Sequence, residues 1–293
     1  MGTTFSIILY GKSQTRMAMA ANAAFRELHR LEGMLSNYRP DSEWSQVNLK
    51  AGHRAVKVSG ELFQVLLKCE KYSAESEGTF DITVGPLMKI WGFYKGTGRL
   101  PAPDEIQTVL TRVGCRHVHL NRSSQTVRFD DSSVELDPGG IGKGYAIDCM
   151  VEALKKKGLA RALVVGSGSS IYGLGSPPGE PRGWRLTIGD PREPRKTVTE
   201  AFLKNMCLST SGSYEKSFFA EGRIYSHIID PRTGYPAHGT SLVSVLGRRA
   251  VDTEAWTKPY FIHGREWAAR HKPAEFRVFI CDEDKDLAGE WLE

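Results

Sequence analysis

Long apolar runs, paired cysteines and dense basic blocks are all missing from this sequence of 293 residues. No run approaches the ~20 consecutive apolar residues that a membrane-spanning helix needs. The five cysteines are odd in number and none has C-x-x-C spacing, so neither a disulfide framework nor a cysteine-based zinc site is indicated. The net charge of +5 is spread without a Lys/Arg block, so we expect no nucleic-acid partner.

A signal-peptide pattern is also missing from the first residues, since no basic segment precedes an apolar segment and a cleavage site. We therefore expect membrane association only through a removed leader or a partner protein. What is present is an ordinary globular composition, with 40% hydrophobic and 25% charged residues. A chain of this length can bury a substantial core.

Apolar spacing predicts strands and helices that do not alternate regularly, and this mixture is typical of an α+β fold. The β-branched run Thr3–Tyr10 predicts a strand, and the apolar positions of Gln14–Leu35 have helical spacing. Further predicted elements that bear on function are strands over Val134–Leu136 and Ile224–Ile229 and helices over Ile141–Lys156 and Asp252–Ile262.

The stretch ELDPGGIGKGYAID at residues 135–148 has the composition of a phosphate-binding loop but not its spacing. Gly142-Lys143 is followed by Gly144 rather than by Ser or Thr, and the position five before Gly142 is not glycine, so it is not a P-loop. A strand, a glycine turn and a helix could still bind an anion, with Lys143 as a cation and Asp137 accepting hydrogen bonds from a ribose or flavin ring. An ordinary strand-to-helix turn with an exposed lysine explains the stretch equally well.

Three other stretches carry polar groups that suit chemistry. His227 lies at the end of a predicted strand, beside a loop with Asp230 and Arg232, where a histidine could act as a general base. The hydroxyls of STSGSY at 209–214, predicted to form a turn after a strand, could contact phosphate or serve ordinary turn chemistry. Asp252 and Glu254 stand at a predicted helix start, where carboxylates cap helices more often than they bind metals.

Taken together and in order, these stretches resemble the ApbE family, the FAD:protein FMN transferases. Any single match would be weak, whereas an ordered set over nearly the whole chain is specific. The matching stretches are Met1-Gly-Thr3, SNYRPDS at 36–42 with Val47-Asn48, FDITVGPL at 80–87 with WGF at 91–93, DPGGIGKGYAID at 137–148, STSG at 209–212 and HIIDPRTG at 227–234.

The resemblance implies one domain over residues 1–293, with a two-lobed α+β fold of mixed and antiparallel sheets, flanking helices and an FAD cleft between the lobes. It implies an enzyme that uses Mg²⁺, cleaves the pyrophosphate of FAD and attaches FMN through a phosphoester to a Ser or Thr of a partner flavoprotein. By matching positions, His227 would be the base near the acceptor hydroxyl, and the carbonyl of Gly140 would be a metal ligand. The residues that would line the FAD site are Met1, Tyr38, Thr79, Phe80, Asp81, Asp137, Lys143 and Ile228.

The late metal motif of the family, A-D-A-x-x-T, is altered in this sequence. Aligned without a gap, Glu254 falls on the metal-binding Asp and Lys258 on the metal-binding Thr, and Asp252 supplies a carboxylate only with a shift. Glu keeps a hard oxygen ligand, but a protonated amine cannot bind Mg²⁺. We therefore hypothesise that the ammonium of Lys258 lies in or near the metal site and partly replaces the ion. The G-G-D of the family is likewise Gly168-Ser-Ser170 here.

These departures leave two alternatives to the transferase. The altered metal motif favours an FAD-binding relative with lost or reduced catalysis, whereas the intact HIIDPRTG favours the transferase. An FAD pyrophosphate hydrolase that releases FMN and AMP is the other alternative. Since relatives act mainly on the outer side of the bacterial cytoplasmic membrane, we expect the periplasm or that membrane face, with the cytoplasm left open.

Overall fold

The computed structural model describes residues 2–94, 96–190, 193, 195–214, 216–283 and 289–292. The chain divides into two compact units, each made of separate stretches of sequence. The first unit comprises Met1–Glu32, Ile141–Gly212 and Gly239–Glu293, and the second comprises Gly33–Gly140 and Ser213–His238. None of the described helices has both the length and the apolar character needed to cross a bilayer. A single domain over 1–293 stays a prediction.

The first unit is built on a seven-stranded sheet in the order β1-β5-β6-β9-β12-β13-β14, in which all neighbours are antiparallel. Its strands are β1 (Phe5–Leu9), β5 (Ala162–Gly166), β6 (Ser170–Leu174), β9 (Met206–Gly212), β12 (Thr240–Gly247), β13 (Arg277–Asp282) and β14 (Glu290–Leu292). The hairpin of β7 (Trp184–Gly189) and β8 (Thr197–Leu203) is a separate two-stranded sheet.

Buried clusters cover both faces of the large sheet. Since successive side chains of a strand point to opposite faces, one strand contributes to both clusters. In β5, Ala162 and Val164 join one buried cluster with residues of three helices, whereas Leu163 joins a second cluster with residues of the β7–β8 hairpin. The helices of this unit are α1 (Gln14–Leu35, whose last three residues belong to the second unit), α6 (Gly142–Lys156), α7 (Ala250–His263) and α8 (Arg265–His271).

The second unit has two small antiparallel sheets, β2-β4-β3 and β10-β11, and short helices. Its core includes Leu87, Trp91, Ile106 and Tyr225. Its elements are α2 (Glu43–Lys50), β2 (Val56–Lys57), α3 (Gly60–Glu75), α4 (Gly85–Ile90), α5 (Pro103–Leu110), a 3₁₀ turn (Cys115–His117), β3 (Val118–Asn121), β4 (Thr126–Phe129), β10 (Ser217–Ala220) and β11 (Arg223–Ser226).

The α+β prediction is confirmed, and α1 has the predicted bounds. The strand predicted over Val134–Leu136 is wrong. Among the described residues this segment pairs with no strand. Its backbone bonds instead to a side chain of α2: Leu136 N donates to Asn48 Oδ1 at 2.8 Å, and Leu136 O accepts from Asn48 Nδ2 at 2.9 Å. The strand predicted over Ile224–Ile229 ends at Ser226, so His227 lies just beyond β11.

Candidate functional site

Asp137, one of the predicted FAD-site residues, is a buried carboxylate of the second unit. Its Oδ1 accepts a hydrogen bond from Gly139 N at 2.5 Å, and its Oδ2 accepts one from the hydroxyl of Tyr94. Burial raises the pKa of the Asp137 carboxyl, an effect that Glu135 strengthens and the two hydrogen bonds oppose. A buried carboxylate held by donors on both oxygens is rigidly oriented, which suits recognition of a polar ring edge.

Two tyrosines lie close enough to Asp137 to feel its charge. The pKa values of the Tyr38 and Tyr94 hydroxyls are both raised. Burial is the larger cause, and the nearby charge of Asp137 is the second. Tyr38 as a whole residue is 58% exposed, so this predicted FAD contact has a large surface open to a ligand. Tyr94 was not predicted, although it directly follows the WGF stretch, because nothing in the spacing links it to Asp137.

The Thr79-Phe80-Asp81 segment is buried and its polar side chains bond within the second unit. Asp81 Oδ1 accepts from the Thr83 backbone N at 2.7 Å and from the Thr83 hydroxyl at 2.6 Å, while Oδ2 accepts from Cys115 N at 2.8 Å. Thr79 Oγ1 donates to Ser76 O at 2.7 Å. These side chains hold a turn in place, and their predicted contact with FAD stays a prediction.

Gly140 lies against the ring of Phe80. A Cβ built on Gly140 would stand 3.1 Å from the ring carbon Cε2, which is tighter than an ordinary contact. Glycine therefore lets the backbone of the 137–140 turn pack closely on this aromatic ring. The structure thus brings Gly140, Phe80 and Asp137 together within the second unit.

His227 is held by the chain segment that precedes β10. Its backbone N donates to Lys216 O at 2.9 Å, and its ring Nδ1 lies 3.2 Å from the same carbonyl oxygen. Because a carbonyl only accepts, this contact assigns the proton of the neutral ring to Nδ1 and the lone pair to Nε2. A neutral histidine with a basic Nε2 is a suitable general base.

Asp230 orients its own loop by binding Arg232. The Asp230 carboxylate accepts from Arg232 Nε at 3.0 Å, from Arg232 Nη2 at 2.8 Å and from the Arg232 backbone N at 2.9 Å. Ile228 is buried, and its carbonyl accepts from Ala237 N at 2.8 Å. Met1, also predicted to line the FAD site, lies outside the described residues.

The predicted metal residues of the first unit lie where α6 and α7 cap one another. Neither helix has a capping side chain of its own, at Ile141 or at Arg249. Instead Asp148 of α6 accepts from the first backbone N–H groups of α7, at 2.8 Å from Ala250 and at 3.2 Å from Val251. Glu254 of α7 accepts from Gly144 N of α6 at 2.5 Å. Carboxylates at helix N-termini satisfy unpaired N–H groups and complement the helix dipole.

Gly144 makes this exchange possible. A Cβ on Gly144 would stand 2.2 Å from Ala250 O, so any other residue would force the two helices apart. The glycine-rich stretch therefore has a packing role at this position. Spacing in the sequence does not reveal this role, because the residues that Gly144 approaches are distant along the chain.

Lys143 and Glu254 form an ion pair. Lys143 Nζ lies 2.7 Å from Glu254 Oε1, and Glu254 is buried while Lys143 is 25% exposed on its side chain. Oε1 accepts no hydrogen bond from the described residues, so this contact is one of charge attraction. With Gly144 N on Oε2, both oxygens of the buried carboxylate have a positively polarised partner.

Lys258 lies one helical turn beyond Glu254, and its ammonium donates to the carbonyl of Glu254 at 3.0 Å. The neighbouring Thr257 hydroxyl donates to the same carbonyl at 2.8 Å and accepts from Ser211 Oγ at 2.8 Å. Ser211 belongs to β9, so the turn predicted over 209–214 is instead the end of a strand followed by a turn. Its hydroxyls, together with Thr253 and Thr257, form a buried polar row that sequence reasoning missed.

These residues do not fit the Mg²⁺ that the family implies. Asp252 and Glu254 are two positions apart on α7, and side chains at that separation do not share a helix face. The Glu254 carboxylate is bound by Gly144 N and Lys143, and an ammonium stands at the position of the expected threonine hydroxyl. Within the described part of the chain, neither acidic residue belongs to a group of three His, Cys, Asp or Glu side chains close enough to share an ion.

The family model and the sequence relatives both identify this chain as similar to the ApbE family. The model of the ApbE family matches residues 1–278. The FAD:protein FMN transferase of Treponema pallidum is 32% identical over 310 residues, which cover 99% of this chain and 84% of that protein. The FAD:protein FMN transferase of Escherichia coli K12 is 28% identical over 300 residues, covering 100% of this chain and 85% of that protein.

Solved structures agree with the sequence relatives. The crystal structure of the ApbE protein from Thermotoga maritima superimposes with a TM-score of 0.87 at 27% identity, covering 99% of this chain and 93% of that chain. The apo form of the flavinyl transferase ApbE from Pseudomonas stutzeri superimposes with a TM-score of 0.82 at 25% identity, covering 99% and 90%. The expected fold is therefore confirmed.

Proposed function

Because the chain belongs to the ApbE family, we propose that it is an FAD:protein FMN transferase that attaches FMN to a Ser or Thr hydroxyl of a partner flavoprotein. The relatives named for this activity match 99–100% of this chain, which supports the assignment of the same reaction type. The observation that carries the proposal within the structure is the environment of His227, because a transferase needs a base for the acceptor hydroxyl.

His227 is assigned the role of that base. The Lys216 carbonyl at Nδ1 fixes the tautomer, so Nε2 can take the proton of an incoming Ser or Thr hydroxyl. The activated oxygen then forms a bond to the phosphorus of the FMN half of FAD. The P–O bond to the AMP half breaks, AMP leaves with the bonding electron pair, and the proton passes from His227 to solvent.

Recognition of FAD is assigned to the buried carboxylate of Asp137 and the exposed ring of Tyr38. Asp137 offers acceptor oxygens in a fixed orientation, and a flavin or ribose presents N–H or O–H donors to such a group. Tyr38 offers an aromatic face for a planar ring system. Lys143, in the first unit, carries a positive charge that suits a phosphate.

The proposal is tested by incubating the protein with FAD and a candidate acceptor flavoprotein and measuring acceptor mass and free AMP. We expect the acceptor to gain the mass of one FMN as an equal amount of AMP appears. AMP without a gain of acceptor mass would replace the transferase with a hydrolase. FAD that stays bound and intact would reject both activities.

One observation favours a second candidate, an FAD-binding protein without catalysis. The carboxylate of Glu254, which stands where the family has a metal-binding Asp, is engaged by Lys143 and Gly144. A site that cannot supply charge to the phosphates would bind FAD without cleaving it. The AMP measurement separates this candidate from the transferase, because only the transferase and the hydrolase release AMP.

A further inference from the structure

Glu254 is the centre of a three-charge cluster in the first unit. Lys143 Nζ lies 2.7 Å from its carboxylate, and Lys258 Nζ lies 3.0 Å from its backbone carbonyl. Two ammonium groups and one carboxylate carry a formal net charge of one positive unit. A divalent cation bound by one carboxylate carries the same net charge, so this cluster matches the charge of such a site without containing an ion.

The cluster is built into the helices rather than left to mobile surface side chains. Glu254 is 2% exposed, and its second oxygen is held by the first turn of α6 through Gly144 N. Lys143 is the second residue of that same helix, and Lys258 is four residues after Glu254 on α7, so both ammonium groups are placed by helical geometry. Positive charge that is fixed in place binds an anion with little reorganisation.

The side-chain oxygens that could serve as Mg²⁺ ligands here already have other partners or lie on another helix face. Mg²⁺ requires oxygen ligands in near-octahedral geometry, and an ammonium is not a ligand. The Thr257 hydroxyl donates to Glu254 O and accepts from Ser211, and Asp252 leaves α7 on a different face from Glu254. To bind the ion, Glu254 would have to give up its ion pair with Lys143.

We propose that the ammonium groups of Lys143 and Lys258, held by Glu254, take the charge role of a divalent cation toward the pyrophosphate of FAD, so that FAD binding and FMN transfer do not require Mg²⁺. The inference rests on the proposed function, because it concerns the same phosphates. Its ligand class is a pyrophosphate diester, whose two negative charges suit two ammonium donors.

The test on the unaltered protein compares FAD affinity in EDTA with FAD affinity in excess MgCl₂, measured by flavin fluorescence. We expect the two dissociation constants to agree within about twofold, and calorimetric titration of MgCl₂ into the FAD-loaded protein to show no saturable heat. An FAD affinity that rises tenfold or more with Mg²⁺, or saturable Mg²⁺ binding, would overturn the inference but leave the proposed function standing. Absence of FAD binding in both buffers would contradict the proposed function itself.

Variants at Lys258 locate the effect. Lys258→Thr replaces the ammonium with a hydroxyl, and we expect FAD affinity in EDTA to fall about tenfold or more, since a hydrogen bond to a charged group is worth about 1.5–3 kcal/mol. Lys258→Arg keeps the charge and should retain most of the affinity. Lys156→Thr, an exposed lysine on α6, is the matched control and should bind FAD like the unaltered protein. An unchanged affinity of a folded Lys258→Thr in EDTA would contradict the inference.

Discussion

The carboxylate of Glu254 on α7 accepts a hydrogen bond from the backbone N–H of Gly144 on α6 at 2.5 Å. Its other oxygen faces Lys143 at 2.7 Å, while Asp148 of α6 caps α7 in return. Two helices that lack caps of their own therefore supply one another with carboxylates. Glu254, which was expected to bind a metal, thus has a structural role in this chain.

Breaking the ion pair from one side should destabilise the protein more than removing both partners. Lys143→Met leaves the buried carboxylate of Glu254 without its cation, and we expect a loss of about 3 kcal/mol in the free energy of unfolding. The double variant Lys143→Met, Glu254→Gln should recover most of this loss, because Gln still accepts from Gly144 N. Denaturant unfolding of both single variants and the double variant measures the coupling.

The control for that cycle lies on the same helix. Lys155→Met removes an exposed pair with Glu152, whose atoms are 2.8 Å apart, and should leave the unfolding free energy within measurement error. Additive effects of the Lys143 and Glu254 substitutions would show that the buried pair is not coupled.

The close approach of α6 and α7 predicts opposite outcomes for two Gly→Ala substitutions. Gly144→Ala places a Cβ 2.2 Å from Ala250 O and should cost about 3 kcal/mol, since the obstacle is backbone. Gly33→Ala, within α1, meets no atom within 4 Å and should stabilise the protein by up to about 1 kcal/mol through helix propensity. Thermal and urea unfolding check both, and equal stability of the two variants would refute the packing role of Gly144.

Asp137 should link stability to pH in the acid range. Burial raises its folded-state pKa, so the fold favours the protonated form, and its contribution to stability falls as pH rises from the unfolded pKa to the folded one. Asp137→Asn removes this dependence and can keep the contacts with Gly139 and Tyr94. We expect the variant to be at least as stable at pH 7, with FAD affinity reduced about tenfold.

The measurements for Asp137 are melting temperature against pH and flavin fluorescence titration. A variant that loses stability at pH 7 would show that the charged carboxylate stabilises the fold. An unchanged FAD affinity would remove Asp137 from the proposed recognition site.

His227 should affect the transfer step rather than FAD binding. Loss of a general base typically lowers a rate by about 10²–10⁴, so we expect His227→Ala to reduce acceptor flavinylation by at least a hundredfold with FAD affinity unchanged. The exposed His238→Ala is the control and should transfer FMN normally. A single-turnover assay that follows acceptor mass measures the transfer rate of each variant. Full activity of His227→Ala would show that another group is the base.

Sequence periodicity predicts the long helix α1 correctly but does not predict the short segment at Val134–Leu136. The helical spacing of Gln14–Leu35 gave α1 with its bounds, because its apolar positions recur on one face. The strand predicted over Val134–Leu136 is wrong because the backbone of Leu136 bonds to the side chains of Asn48 and Trp44, which are distant in sequence. Spacing carries no information about such partners.

The same limit applies to the candidate site. Ordered motifs pointed to Asp137, Lys143 and His227, but only coordinates show the Lys216 carbonyl that sets the His227 tautomer. The alignment placed Glu254 and Lys258 at metal positions, and the contacts of Glu254 with α6 show why an ion does not fit there. Pairs of side chains that are distant in sequence can be identified only in the folded structure.

The central claim is covalent transfer of FMN to a protein hydroxyl, and peptide mass mapping of an acceptor flavoprotein incubated with the protein and FAD tests it most directly. We expect a gain of one FMN on a single Ser or Thr of the acceptor and release of an equal amount of AMP. Changing the modified residue to Ala should abolish that gain. Consumption of FAD without any modified acceptor peptide would contradict it.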